Sequence, residues 1–181
     1  MVSIQDRPPA VEERLIPGHG EGDLSKGAQN RSAVGTLVER TTVFTVRSRM
    51  DNARAEAALS GFRHVLNRIE AQWRLSLTDE QGRGMAAQQR LTDATGVKVY
   101  FADPHSPWQR GINEHTNGLV RQYLPKGRDL SGFTQEALDA MAWRLNTRPR
   151  KSLGFRCPAE LFTPDAFDFR PHHAARFALG H

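Results

Sequence analysis

The 181 residues include a single cysteine, Cys157, which excludes a disulfide framework and any zinc site built on cysteines. No stretch approaches the ~20 apolar residues that crossing a bilayer requires, so no membrane partner is expected. The first residues carry Asp6, Glu12 and Glu13 without an apolar run, which excludes a signal peptide. No internal repeat is apparent. Together these absences describe a cytoplasmic chain, long enough to bury one sizeable core. Charge is not lacking. Lys and Arg number 25 against 20 Asp and Glu, a net charge of +5 with a pI near 10.0, which favours an anionic partner such as nucleic acid over a merely solvated basic surface.

Taken in order, residues 1–17 read as a flexible lead-in. Pro8, Pro9 and Pro17 work against regular structure, and the acids with Arg7 and Arg14 keep the segment solvated. HGEGDLS at 19–25 is a weak first strand by local preference, because of its two glycines and Ser25. Ser32 to Glu39 and Thr42 to Arg47 are β-rich runs separated by Arg40-Thr41, predicting a hairpin and, with the first strand, an antiparallel meander. Asp51-Asn52 offers an N-cap, and Ala55, Ala58, Leu59, Phe62, Leu66 and Ile69 recur at helical spacing, predicting a helix over 52–71. Leu75 to Thr78 is a short apolar strand ending at Asp79-Glu80, a polar helix follows over 85–95, and Val97 to Ala102 is strongly strand-like. Strand, helix, strand, helix, strand is the rhythm of parallel crossovers. Thr134 caps a further helix to about Asn146, with Leu138, Met141, Ala142 and Leu145 as its buried stripe. The C-terminal tail, 163–181, holds His172-His173, whose adjacency is not metal-ligand spacing on a helix.

The stretch DPHSPWQRGINEHTNG at 103–118 organises the rest. Asp103-Pro104 ends the preceding strand, Ser106-Pro107 keeps the backbone extended, and Gly111 turns it into a helix starting near Ile112. Ile112, Leu119, Val120 and Tyr123 share one face of that helix, whereas Glu114, Asn117 and Arg121 lie on the other. A lone glutamate in a first helical turn is commonly a solvated residue favoured by the helix dipole. Here Trp108, Gln109 and Arg110 stand beside it, as a site for a phosphate backbone requires. Lys126 follows in a basic turn, and Arg148, Arg150 and Lys151 cluster in a later loop. That loop reads equally as solvated or as phosphate-contacting.

These residues resemble the third-carboxylate motif of DDE transposases of the insertion-sequence-thirty family. The resemblance extends from Ile16 to about Phe162 through GHGEGDL at 18–24, NRSAVGTLVERTT at 30–42, VYFADPHSPWQRG at 99–111 and LNTRPRKSLGFRCPAEL at 145–161. It implies an α/β, ribonuclease H-like core over 18–162: a mixed five-stranded sheet, three strands in an antiparallel meander plus parallel strands, with flanking helices. It also implies divalent-metal-dependent DNA cleavage and strand transfer with Mg2+ or Mn2+, DNA (transposon ends and target) as partner, a homo-oligomer on DNA, and a bacterial, nucleoid-associated setting. The sequence opens almost directly on this core, as a chain truncated at its N-terminus would, without the helix-turn-helix region that such transposases carry ahead of it.

Phosphodiester chemistry of this kind relies on ions held by carboxylate oxygens. Asp23 and Glu114 match the family's first and third carboxylates. At the second, the family has an aromatic residue, then Asp, then Gln-Gly, where this sequence reads Thr78-Asp79-Glu80-Gln81-Gly82. Alignment on Gln81-Gly82 selects Glu80, whereas a one-residue shift would select Asp79. Strand alternation separates the two but does not choose between them, because a central parallel strand is often buried on both faces. Gly20, Ser25, Gly84 and His115 also stand where the family has Trp, an aliphatic residue, Glu and Asn, so the first strand is expected to be loosened. Two readings therefore stand: an active catalytic core using Asp23, Glu80 and Glu114, or an impaired remnant that binds DNA or pairs with an intact transposase.

Overall fold

Seven consecutive buried residues, Ala33–Glu39, form strand β2, and the rest of the sheet is arranged around it. On one side it pairs antiparallel with β1, His19–Lys26, and on the other with β3, Thr45–Met50. At position 35 an added Cβ would stand 2.3 Å from the Met50 methyl and 3.0 Å from the Phe62 ring, so a larger residue would have to displace both. The computed structural model describes residues 2–80, 85–103, 106, 116, 118–119, 123–124 and 127–163, the side chains of Asn30, Glu80, Met85 and Ala86 excepted.

Strand β4, Ser76–Glu80, lies parallel to β1, and β5, Lys98–Ala102, lies parallel to β4, giving the order β3-β2-β1-β4-β5. The meander and the parallel crossovers expected from the sequence are both present. Helices α2, Ala55–Leu66, and α3, Met85–Thr95, cover one face, where Leu24, Leu37, Phe62, Leu77, Leu91 and Val99 form the larger core. Helix α4, Gln135–Asn146, covers the other face through Leu138 and Leu145 against Val34, Leu124 and Leu130. The Thr134 hydroxyl accepts from the Ala137 amide, the expected cap. Among the described residues no helix is long and apolar enough to cross a membrane.

Three boundaries differ from the sequence reading. Helix α2 begins later than 52, because Asn52 Oδ1 accepts from the Arg54 amide and leaves Arg54 extended as the cap. Strand β3 begins at Thr45, because the Glu39 carboxylate gathers the amides of Gly18, Thr41 and Thr42 into the preceding turn, with Val43 at φ 60°. The lead-in departs most. Ile4–Asp6 forms a 3-10 turn and Pro9–Glu12 a short helix, α1, in which proline at the first position costs no hydrogen bond. Ile4 and Val11 are buried, and Ser3 bridges to Phe101 at the edge of β5. Arg7, expected to be solvated, is buried and donates to Thr78 Oγ1 at 2.9 Å.

Nor does β1 show the expected loosening in its pairing. It pairs with β2 from Gly20 to Lys26 and with β4 from His19 to Glu21. Gly20 instead lines a cavity of about 30 Å3 with Leu77, Trp73 and Phe162. Beyond α4, Cys157 is buried, its Sγ 3.1 Å from the Thr147 carbonyl, and opens the short helix α5, Pro158–Phe162. Phe162 stacks on Phe44 with ring centroids 4.6 Å apart.

Candidate active site

Alternation along β1 divides its residues between the two faces. Leu24 belongs to the α2/α3 core, and a Cβ on Gly22 would meet Leu77 at 3.3 Å. Glu21 and Asp23 therefore belong to the opposite face. Asp23 is half-buried and stands across from Thr36, which stands across from Arg47 on β3. Beneath it, Glu21 pairs with Arg40 at 2.5 Å, both being buried, and Arg40 reaches Glu12 and the Val11 carbonyl of the lead-in. Burial lowers the Arg40 guanidinium from its ordinary range, partly offset by Glu21.

The two candidates for the second carboxylate are separated by the same pleat. Asp79 is buried and lines a cavity of about 40 Å3 with Ala58, Leu59, Phe62 and Leu91, on the α2/α3 face away from Asp23. Thr78 lies on the other face, across from Glu21 and against Arg7. The backbone of Glu80 continues β4 opposite Ala102, two residues beyond Thr78; its side chain lies outside the described residues.

Of the organising stretch, Thr116, Gly118 and Leu119 are helical, Thr116 is buried, and Leu119 and Tyr123 pack against the α4 cluster as the expected apolar face does. Trp108, Gln109, Arg110, Glu114, Asn117, Arg121 and Lys126 lie outside the described residues. Among the described residues no three His, Cys, Asp or Glu side chains gather into a metal-sized group.

Arg148, Arg150 and Lys151 lie beyond the end of α4. Their loop leaves α4 at Asn146, whose side chain is hydrogen-bonded to both backbone groups of Thr45, at the edge where β3 begins and β2 ends. Asp23 lies two residues further along, in the row of Thr36 and Arg47. Arg148 and Lys151 are exposed. Arg150 is turned inward, donating to the Leu145 carbonyl at 3.2 Å, and burial with the nearby charge of Arg148 lowers its guanidinium from the ordinary range. It serves the helix terminus.

Sequence reading missed a further buried cation besides Arg7 and Arg40. Arg47, 1% exposed, has Nε and Nη2 without hydrogen-bond partners among the described residues; burial brings it down to about 10, with Tyr123 pulling weakly the other way. The Thr36 and Thr116 hydroxyls are likewise buried without partners among the described residues. An arginine in the alternating run TVRSRM gave no sign of this, since a cation in a strand is usually on its wet face. A cavity of about 690 Å3 between Phe44, Trp73, Trp143 and Phe162 does not include Asp23.

No protein-family model matches the sequence. The chain is 57% identical over 161 residues to the transposase for insertion sequence element IS1086 of Cupriavidus metallidurans, covering 89% of this chain and 48% of that protein. It is 42% identical over 158 residues to the transposase InsI for element IS30A of Escherichia coli, covering 87% and 41%. Its homologues are IS30-family transposases. The chain spans about half the length of these curated IS30-family relatives. In fold it resembles retroviral integrase cores. The catalytic core domain of BIV integrase superposes with a TM-score of 0.57 at 15% identity over 82% of this chain and 95% of that one. The simian T-cell lymphotropic virus intasome, solved with PP2A regulatory subunit B56 gamma, gives 0.63 at 18% over 82% and 55%. The sheet is thus the ribonuclease H-like one expected, and the transposase and integrase family implies dependence on divalent metal.

Proposed function

We propose that the chain is the catalytic core of a transposase that cleaves and joins DNA strands, with water and then a 3′-hydroxyl as nucleophile. Asp23, Glu80 and Glu114 would hold the metal, Mg2+ or Mn2+. A donor set made wholly of carboxylates suits hard cations of this kind. When bound, such ions stabilise charge on the attacking and leaving oxygens. Transposon ends and target DNA are the partners in this reading, and the working form is a homo-oligomer on DNA.

The observation that carries the reading is the location of Asp23. It is half-buried on the central strand, on the face opposite the α2/α3 core, toward the end where the three parallel strands finish. In open α/β sheets ligands bind beyond the carboxyl ends of the strands. Position 80 follows Thr78, the partner of Glu21, by two residues, as Asp23 follows Glu21. Asp79, turned into the α2/α3 core, is the weaker candidate.

The test is metal-dependent nicking of labelled DNA by the chain joined to a helix-turn-helix region of an IS30-type relative. Glu80→Asp should raise the rate, by up to ~10²-fold if the longer side chain misplaces its carboxylate by ~1 Å. Asp23→Asn should abolish it, and Asp79→Asn should leave any loss explained by stability alone. Activity that survives Asp23→Asn would refute the assignment. Inactivity of both the unaltered chain and Glu80→Asp with manganese supplied would favour the impaired remnant.

A further inference from the structure

The carboxyl end of β1 leads into a second feature, on the flank of the sheet that faces α2. A groove of about 660 Å3 lies between the turn after β1 and the connection into α2. Lys26, Arg31 and Arg54 line it with a single acid, Asp51. All three cations are exposed, and none is engaged in an ion pair among the described residues, in contrast to Arg68 with Asp139 and Arg90 with Glu56. Arg31 does help to hold the Asp129 carboxyl below its ordinary range, behind the hydrogen bonds from Ser131 and Ser32.

The walls are fixed in advance. On one side the Gly27 amide donates to the Ser32 carbonyl at 2.8 Å and the Ala28 amide to the Arg128 carbonyl at 3.1 Å, while Ser32 Oγ donates to Asp129. Gln29, on the same wall, is held left-handed at φ 55°, ψ 23°, a conformation that costs a non-glycine residue ~1 kcal/mol and persists where surroundings impose it. On the other side Asn52 Oδ1 accepts from the Arg54 amide and fixes it. Three cations on a rigid, open, polar groove match a chain of phosphates better than a small ligand, which needs enclosure.

We propose that this groove seats the phosphodiester backbone of the DNA flanking the scissile bond, with Lys26, Arg31 and Arg54 as its phosphate contacts. The inference rests on the catalytic-core reading and adds to it the path of the substrate. Lys26 stands three residues beyond Asp23 on β1, ~10 Å at 3.3 Å per residue. That distance is ~3 base steps at 3.4 Å per strand; alternation along β1 puts Lys26 on the α2 side and Asp23 on the other, so the backbone reaches the carboxylates around the carboxyl end of the strand rather than along one face.

The test is binding of a labelled DNA duplex to the whole chain by fluorescence anisotropy at several salt concentrations. The unaltered chain should lose affinity steeply with salt. Lys26→Ala, Arg31→Ala and Arg54→Ala together should flatten the slope of log K against log salt by ~2 to 3, at ~0.9 per lost phosphate contact, and weaken all sequences alike. Each single variant should flatten it by ~0.9, which keeps the test readable if the triple variant fails to fold. Lys26→Arg, Arg31→Lys and Arg54→Lys together should restore the slope. Alanine variants that melt like the unaltered chain and keep its slope would overturn the groove. Salt-independent or absent binding by the unaltered chain would overturn both the groove and the catalytic reading. Slope lost in the alanine variants, with no nicking in manganese by the fused chain or by its Glu80→Asp variant, would uphold the groove as a DNA contact and overturn the catalytic reading alone.

Discussion

Arg40 Nη1 stands 2.5 Å from Glu21 Oε1, and both side chains are buried under the central strand two residues before Asp23. The pair ties three segments together, since Arg40 also donates to the Val11 carbonyl and meets Glu12. Glu21→Ala leaves Arg40 buried without its nearest counter-charge and should cost ~3 to 5 kcal/mol, read from urea unfolding. Replacing both by apolar residues, Glu21→Leu with Arg40→Met, should recover most of that loss. A single variant within ~0.5 kcal/mol of the unaltered chain would show the pair to be solvated in solution.

Arg150 and Arg148 should behave differently although they are two residues apart. Arg150→Ala removes the donor to the Leu145 carbonyl at the end of α4 and should cost ~1 to 2 kcal/mol. Arg148→Ala and Lys151→Ala, both exposed, should stay within ~0.5 kcal/mol. Thermal midpoints of the three variants decide the matter, and equal effects would contradict the inward orientation of Arg150.

His19, with Nδ1 2.7 Å from Ser76 Oγ, has its ring held below the ordinary 6.5, first by burial and then by Arg40 and Arg7 against Glu39. The folded chain thus prefers the neutral ring more than the unfolded chain does. The stability this contributes is fully present above pH 6.5 and is lost as pH falls through the lower folded-state value. Denaturant unfolding from pH 7.5 to pH 5 should show a steeper fall for the unaltered chain than for His19→Gln. Parallel curves would remove His19 from the account.

Gly20 is the departure from the family pattern that the structure makes most tractable. A Cβ there would stand 3.7 Å from Leu77 Cδ1, an ordinary contact, beside the cavity of about 30 Å3. Gly20→Ala should raise stability by ~0.4 to 1 kcal/mol, by restricting the unfolded chain and partly filling the space. A lower thermal midpoint would mean that the cavity walls are tighter than they stand here.

The meander, the parallel strands and the stripe on α4 were legible, because periodicity is local and the resemblance carried by the motifs from Gly18 to Leu161 supplied the weak first strand. The lead-in was not legible. Its prolines and charges suggest solvation, but Arg7 finds Thr78 at a sequence distance no local pattern reaches. The site was half legible. Asp23 could be proposed from its motif, whereas weighing Asp79 against Glu80 as candidates required knowing which face of β4 met α2 and α3. Of the basic loop, the inward turn of Arg150 to the Leu145 carbonyl was not legible, and Lys26, Arg31 and Arg54, dispersed in sequence, meet in one groove.

The buried thiol of Cys157 turns an ordinary limitation into a clock. It is the chain's only sulfhydryl and lies against the Thr147 carbonyl between α4 and α5, so an alkylating reagent reaches it only when that junction parts. The rate of modification under native conditions therefore counts openings of the α4–α5 corner. Any surface cysteine added for a fluorophore or cross-linker will react ahead of it, so labelling needs no prior removal of the native thiol.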